Sequence, residues 1–288
     1  MVNNTKKRAH FNFSTPGKIF TYTILIAGAF IALIPFFWMV STSFKSLGEA
    51  LGTAFFPSEL RWDNYTEAWR RALFSEYFIN TIMITAITLA GEITFSVLAA
   101  YAFARMHFPG RDLIFSIMLS TIMIPAMVFI IPNFLTVTWL GRIGPIPWIN
   151  NWPALTIPFM GSMFSIFLLK QFFAQIPDEL FDAAQMDGAG HLRFLWKVVL
   201  PLSKAPLMVI LVLSFIGTWN SLAWPMLVTN TPDWRPISVG LMNFVNEAGQ
   251  EINLTMAGAF ITIIPILIIY FFTQRQFTES ISRSGLKG

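Results

Sequence analysis

The chain has 288 residues, 55 % of them hydrophobic and only 12 % charged. A soluble domain carries about a quarter charged residues, so a water-soluble globular protein is excluded. Cysteine is absent, which rules out disulfides and thiolate metal sites, and His10, His107 and His191 are too scattered to form a metal cluster.

The apolar runs are long enough to cross about 30 Å of hydrocarbon, which takes roughly 20 residues of helix. They lack the alternation of barrel strands, and backbone groups in lipid must be satisfied within their own element, so helices are expected. Spans are predicted near 19–40, 77–104, 113–138, 153–173, 204–227 and 256–273, six in all. An even number puts both termini on one side, together with the turn 105–112 and the segment 170–204. That side holds 13 of the 19 Lys and Arg residues. Cytoplasmic loops retain Lys and Arg, so both termini are expected in the cytosol, and the formal charge of +4 does not indicate nucleic acid as a partner. The chain then divides into a cytosolic tail 1–18, a membrane domain 19–273 containing a cytosolic region 178–197, and a cytosolic tail 274–288.

In chain order, Lys6-Lys7-Arg8 precede the first apolar run as in a signal peptide. That run is about 22 residues long and has no small-residue cleavage site, so it reads as a retained span, bent near its outer end by Pro35. Residues 41–76 form the largest external segment, with a turn at Phe55-Phe56-Pro57 and an amphipathic helix from Trp62 to Arg70 lying against the outer surface. The second span starts near Tyr77-Phe78-Ile79-Asn80 and ends at Tyr101-Ala102-Phe103-Ala104-Arg105, with small residues that favour close helix packing. Near its middle lies Glu92, a charge that is costly in lipid unless it faces protein or water, or is neutralised. Met106 to Arg111 is a tight cytosolic turn. Pro125 and Pro132 kink or break the third span, and Trp139, Trp148 and Trp152 sit at headgroup depth around an external turn. Residues 228–255 are external and polar, including Trp234, Asn243, Asn246, Glu247 and Gln250. No internal duplication is apparent, which argues against a chain holding both halves of a transporter.

The cytosolic region carries the functional signal. Pro177-Asp178-Glu179-Leu180 start a short helix, since proline tolerates the first turn and acids favour its N-terminus. Ala183 and Ala184 leave a narrow surface on which another protein can close, and Gly188 permits a sharp turn. A second amphipathic helix over His191–Val199 returns the chain to the membrane before Pro201. These residues indicate a docking helix without naming what docks.

The segment Asp182-Ala183-Ala184, three residues, Gly188, nine residues, Val198-Val199-Leu200-Pro201 closely resembles the signature of binding-protein-dependent ABC importer permeases. The family pattern has Glu-Ala-Ala, three residues, Gly, nine residues, Ile-x-Leu-Pro, so the spacing is unchanged and the substitutions are Asp for Glu and Val for Ile. Asn80-Thr81, Tyr101 to Arg105 with Phe108-Pro109-Gly110-Arg111, and Trp219-Asn220 with Trp224-Pro225 resemble the smaller permease of maltose-type carbohydrate importers. The ending Ser284-Gly285-Leu286-Lys287-Gly288 is similar to that subgroup's Gly-Ala-Val-Lys-Gly.

The resemblance implies an all-α, six-helix type I (MetI-like) permease in a bacterial or archaeal cytoplasmic membrane. It implies a second homologous permease, two cytosolic ATPase subunits that bind ATP and Mg, an extracytoplasmic solute-binding protein, and a sugar or oligosaccharide as substrate. The chain itself would be non-catalytic and hold no cofactor, and no Gly-rich loop followed by Lys and Ser or Thr is present. Asp182, Ala183, Ala184, Asp187, Gly188, Leu200 and Pro201 would couple it to the ATPase. Asp182 either bridges to a basic ATPase residue or only favours the helix N-terminus. Pro201 would set the angle of the next span.

Other assignments stay open at this level. Glu92 faces the pathway or the partner permease, or it is a protonated or hydrogen-bonded packing residue. Trp219, Asn220 and Trp224 form a sugar-binding stripe, or they anchor and pack helices. Residues 243–251 meet the binding protein, or form an ordinary wet loop. The same architecture would also serve glycerol phosphate or a polyamine, and a proton-coupled transporter or channel using Glu92 is the competing class.

Overall fold

The computed structural model describes residues 15–246 and 251–284. The readings of Lys6-Lys7-Arg8, of His10, of Glu247 and Gln250, of the closing residues 285–288, and of the Asn243 and Asn246 side chains lie outside what it describes. Among the described residues every regular element is helical. In chain order these are α1 (Thr15–Ser43), α2 (Leu47–Ala50), α3 (Asp63–Arg71), α4 (Phe74–Arg105), α5 (Arg111–Ser120), α6 (Ile130–Ile143), α7 (Trp152–Thr156) and α8 (Met163–Phe173). There follow α9 (Glu179–Met186), α10 (His191–Phe194), α11 (Leu200–Leu202), α12 (Lys204–Trp219), α13 (Ala223–Val228), α14 (Ile237–Asn246) and α15 (Ile252–Ser284).

Five stretches are long and apolar enough to cross a membrane: Gly17–Ser43, Phe74–Arg105, Ala126–Ile143, Trp152–Phe173 and Ile252–Gln274. A sixth comes from His191–Leu202 and Lys204–Trp219, which meet at a bend of 80°. One predicted break is observed, and one predicted span is interrupted where no break was expected. The run 113–138 is broken: α5 ends at Ser120, Ile124 is extended, and the apolar stretch starts again at Ala126. Pro125 is the cause, because its ring disfavours a helical residue before it. The run 204–227 is likewise interrupted, with α12 ending at Trp219 and α13 starting at Ala223. The predicted second amphipathic helix is present as a continuous helical stretch, His191–Leu202. It consists of α10, a π turn over Leu195–Val199, and α11.

The 32 residues of α4 contain no proline and span about 48 Å at 1.5 Å per residue. This helix contributes to all three apolar clusters. Val97, Ala100 and Phe103 meet Leu169, Phe173 and Phe194 at one end, while Phe74 and Tyr77 meet Ile237 and Leu254 at the other. Between them Ile84 packs with Leu155 and Trp224. In contrast, α1 lies along α15, and its apolar window has no buried residue.

At the α3 end, residues 41–72 fold into a compact cap. Asn64 donates to the carbonyls of Ser43 and Lys45 at 2.8 and 2.9 Å. Lys45 is fully buried, with Nζ 2.6 Å from the Ala54 carbonyl oxygen and 4.5 Å from the centre of the Trp38 ring. The aromatic face supplies a partner for the cation that water otherwise would. The expected amphipathic helix is α3, and it turns Asn64 and Ala68 inward while Trp62 stays exposed.

Candidate coupling site

Local chemistry accounts for both ends of α9. The amides of Phe181 and Asp182 donate to the Asp178 carbonyl at 2.8 and 3.0 Å, and the acids Glu179 and Asp182 lie in the first turn, where the helix dipole favours them. The other end is a Schellman motif. The Ala189 amide reaches the Ala184 carbonyl at 2.8 Å and the Gly188 amide reaches Gln185 at 2.9 Å. This closure needs Gly188 at φ +73°, a region that costs an L-residue about 1–2 kcal/mol.

The two adjacent alanines do not share a surface. Ala183 is exposed, whereas Ala184 is half-buried against the apolar cluster of α4, α8 and α10. Asp182, Gln185, Met186, Asp187 and Gly188 are exposed, with Met186 at 89 %. Asp182 has no ion pair among the described residues, and Asp187 is the C-cap. Leu200 packs against the same cluster, while Pro201 is exposed in the short α11, just before the bend into α12. Exposed Leu180, Leu192 and Trp196 extend the apolar part of this surface.

Side chains to which the sequence assigned no role at α9 hold that helix in place. Arg105, the last residue of α4, pairs with the Asp178 carboxylate and donates to the Ile176 carbonyl. One turn earlier, Tyr101 Oη lies 2.9 Å from His191 Nδ1. The His191 ring stacks on Phe181 with centroids 4.8 Å apart, and Phe181 meets Phe194 edge-on at 5.0 Å. The available signal was the four-residue spacing of Tyr101 and Arg105, which puts both on one face of a helix end.

A second polar feature runs inside the membrane domain. Thr81, Thr85, Thr88, Glu92 and Ser96 recur at three- and four-residue steps, so they form one stripe along α4, and all are buried. Glu92 Oε1 accepts from Ser165 Oγ of α8 at 2.7 Å and from Ser214 Oγ of α12 at 2.8 Å. The carboxylate therefore joins three helices. Thr85, Thr88 and Ser96 have buried hydroxyl oxygens without a hydrogen-bond partner. Thr81 and Thr85 also line a cavity of about 120 Å³ with Thr218, Ser221, Phe159 and Trp224.

The structure separates the three residues of the suspected sugar stripe. Trp219 is 3 % exposed, stacks on Phe215 at 5.2 Å and donates to the Thr262 carbonyl at 3.0 Å. Trp224 is buried and donates to the Ala154 carbonyl at 2.8 Å. Asn220 is exposed at the break after α12, its side-chain amide bonded back to Ile216 at 2.9 Å. Both indoles use their N–H inside the chain, as buried tryptophans generally must.

An all-helical chain with several membrane spans and one exposed, capped helix between them is built as a transport permease. Residues 92–282 match the family described as binding-protein-dependent transport system inner membrane component, and the chain belongs to that family of multi-pass inner-membrane transport subunits. It is 29 % identical to the diacetylchitobiose uptake system permease protein of Streptomyces coelicolor, over 93 % of this chain and 88 % of that one. It is 32 % identical to the sn-glycerol-3-phosphate transport system permease protein of Yersinia pestis, over 91 % and 95 %. Among solved structures it resembles a chain of a bacterial ABC transporter involved in the import of the acidic polysaccharide alginate. That match has a TM-score of 0.78 and 27 % identity over 91 % of this chain and 98 % of the other. Family membership sets the proton-coupled transporter reading aside.

Proposed function

We propose that this chain is one permease half of an ATP-driven importer for a sugar or oligosaccharide. The observation that carries the reading is α9: an exposed helix bearing Asp182-Ala183-Ala184, closed by a left-handed Gly188, between two membrane spans. In this reading α9 seats in a cleft of one of two cytosolic ATPase subunits, which bind ATP and Mg and perform the hydrolysis. A second, homologous permease completes the pathway, and an extracytoplasmic binding protein delivers the solute. Both termini then face the cytosol, in keeping with the distribution of Lys and Arg. Closure of the ATPase pair shifts the permeases between two packings, each favoured by a different set of partners.

Carbohydrate is favoured because the diacetylchitobiose relative and the alginate transporter handle oligomeric or polymeric sugars. Import of a glycerol phosphate is the second reading, favoured by the 32 % identical relative. Trp219 and Trp224 act in this proposal as helix clamps rather than sugar platforms, since their indole N–H groups are committed to carbonyls. Glu92 acts as a hydrogen-bonded joint.

The test is ATP hydrolysis by the reconstituted complex with its binding protein, against a panel of oligosaccharides and sn-glycerol 3-phosphate. One sugar should stimulate hydrolysis, and Gly188→Asp should remove the stimulation while assembly persists. If glycerol phosphate alone stimulates, the sugar assignment fails and the importer stands. If no ATPase associates, the importer mechanism fails.

A further inference from the structure

The covalent connections of α9 are poor transmitters of displacement. Towards α8 it is joined through Ala174–Asp178, which contains Pro177 and no regular helix. Towards α12 it is joined through α10, a π turn and α11, and the chain then bends by 80° around Ser203. Neither route keeps an unbroken helix from α9 to a membrane span: the first has none through Ala174–Asp178, and the second bends at Ser203.

The route through side chains is shorter. Arg105 and Asp178 are 73 residues apart in sequence, yet the pair ties the last residue of α4 to the N-cap of α9. The Arg105 side chain is only 7 % exposed, and its second Nη holds the Ile176 carbonyl. A planar guanidinium satisfies two such acceptors in fixed geometry, which an ammonium does not. Tyr101, His191 and Phe181 add a second fastening one turn along α4. At its far end α4 grips another segment: Asn80 Nδ2 donates to the carbonyls of Asp233 and Arg235 at 2.9 and 3.2 Å, and Thr81 Oγ1 accepts from the Ile237 amide at 2.8 Å.

We propose that Arg105 is a positioning residue that makes α9 and α4 one rigid body, so that displacement of α9 is delivered to α4 and through Asn80 to the segment 233–237. The inference rests on the proposed coupling role of α9. Arg105 touches neither solute nor nucleotide, and acts only through what it holds.

The experiment uses the reconstituted full complex and reads the ratio of solute transported to ATP hydrolysed. Arg105→Met should leave assembly intact and lower that ratio about tenfold, the upper range for single-residue coupling effects. Arg105→Lys, which keeps one contact of two, should fall between. A residue that merely stabilises the fold would lower assembly and both rates together, leaving the ratio unchanged, and that result overturns the proposal. If Arg105→Met does not assemble, Asp178→Ala decides, because Asp178 is 88 % exposed and its loss leaves no cavity.

A second arm exploits the absence of cysteine. Tyr101→Cys with His191→Cys, bridged by a short bifunctional thiol reagent, should transport as well as the unbridged pair. Transport abolished by bridging, but not by single labelling, means that α10, against which Phe181 of α9 stacks, must leave α4 and sinks the proposal. Gly188→Asp serves as the reference: if it lowers the ratio and Arg105→Met does not, only this inference fails. If neither does, the coupling role of α9 fails with it.

Discussion

The α9 surface and the buried stripe of α4 are both polar features of an apolar chain, and they are built in opposite ways. On α9 the backbone satisfies itself through the Asp178 carbonyl and the Schellman bonds, leaving Asp182, Asp187 and the small Ala183 exposed. On α4 the polar side chains are buried, Glu92 is shared by two serines, and three hydroxyls lack partners. Exposure without an internal partner fits contact with another protein. Burial with shared partners fits holding helices together where lipid offers no hydrogen bonds.

The comparison breaks first at Gly188. A Cβ built there meets nothing within 4 Å, so the chain itself has room for a side chain. Asparagine tolerates the left-handed conformation, so Gly188→Asn should assemble normally yet lose nearly all stimulated ATP hydrolysis. Normal stimulation in that variant would reduce Gly188 to a backbone requirement.

Glu92 gives the next effect. Glu92→Leu leaves Ser214 without its acceptor and Ser165 with only Ser162, and should destabilise the chain by about 1 kcal/mol. Thermal unfolding in detergent measures this. Glu92→Gln keeps a carbonyl acceptor for both, and uptake should stay near normal. Strong loss of uptake in a stable Gln variant would restore a role for the charge.

A smaller effect of opposite sign is expected at Thr88→Val. Its hydroxyl has no partner, so an apolar replacement of similar shape should be neutral or stabilising by up to about 1 kcal/mol. Clear destabilisation in the same assay would mean that the hydroxyl is satisfied in the membrane.

The smallest effect lies in the cap at the α3 end. The Ser58 hydroxyl and the Ser46 and Ser58 amides, all bonded to Glu49, bring its carboxyl down from 4.5 to about 2. Because the folded value is the lower one, these bonds contribute fully above about pH 4.5 and are lost as pH falls towards 2. Amide exchange at Ser58 should show protection at pH 5 that Glu49→Ala removes, with no change in assembly. Equal protection in both would discharge Glu49 from the turn.

The features legible from sequence were those with local causes. Acids beside Pro177 start α9, Gly188 stops it, and the spacing to Leu200-Pro201 is read directly along the chain. Continuous runs near 19–40, 77–104 and 256–273 form helices long and apolar enough to cross a membrane, because length and hydropathy are read directly along the chain. The break at Pro125 was legible because proline marks it, whereas the interruption at 220–222 was not, since an apolar run has the same composition whether or not its helix is broken.

The sequence by itself determined that this chain is a membrane protein, where its long apolar helices lie, and how the short helix α9 starts and stops. Length, charge and capping act over a few residues and need no partner from elsewhere in the chain. Only the tertiary structure decided that Trp219 and Trp224 spend their N–H groups on carbonyls, that Ala184 turns inward while Ala183 does not, and that Glu92 binds Ser165 and Ser214. It also decided that Arg105 holds Asp178. The reason is physical: a buried polar group takes its partner from wherever packing brings one, and packing joins residues that lie 73 or 122 positions apart.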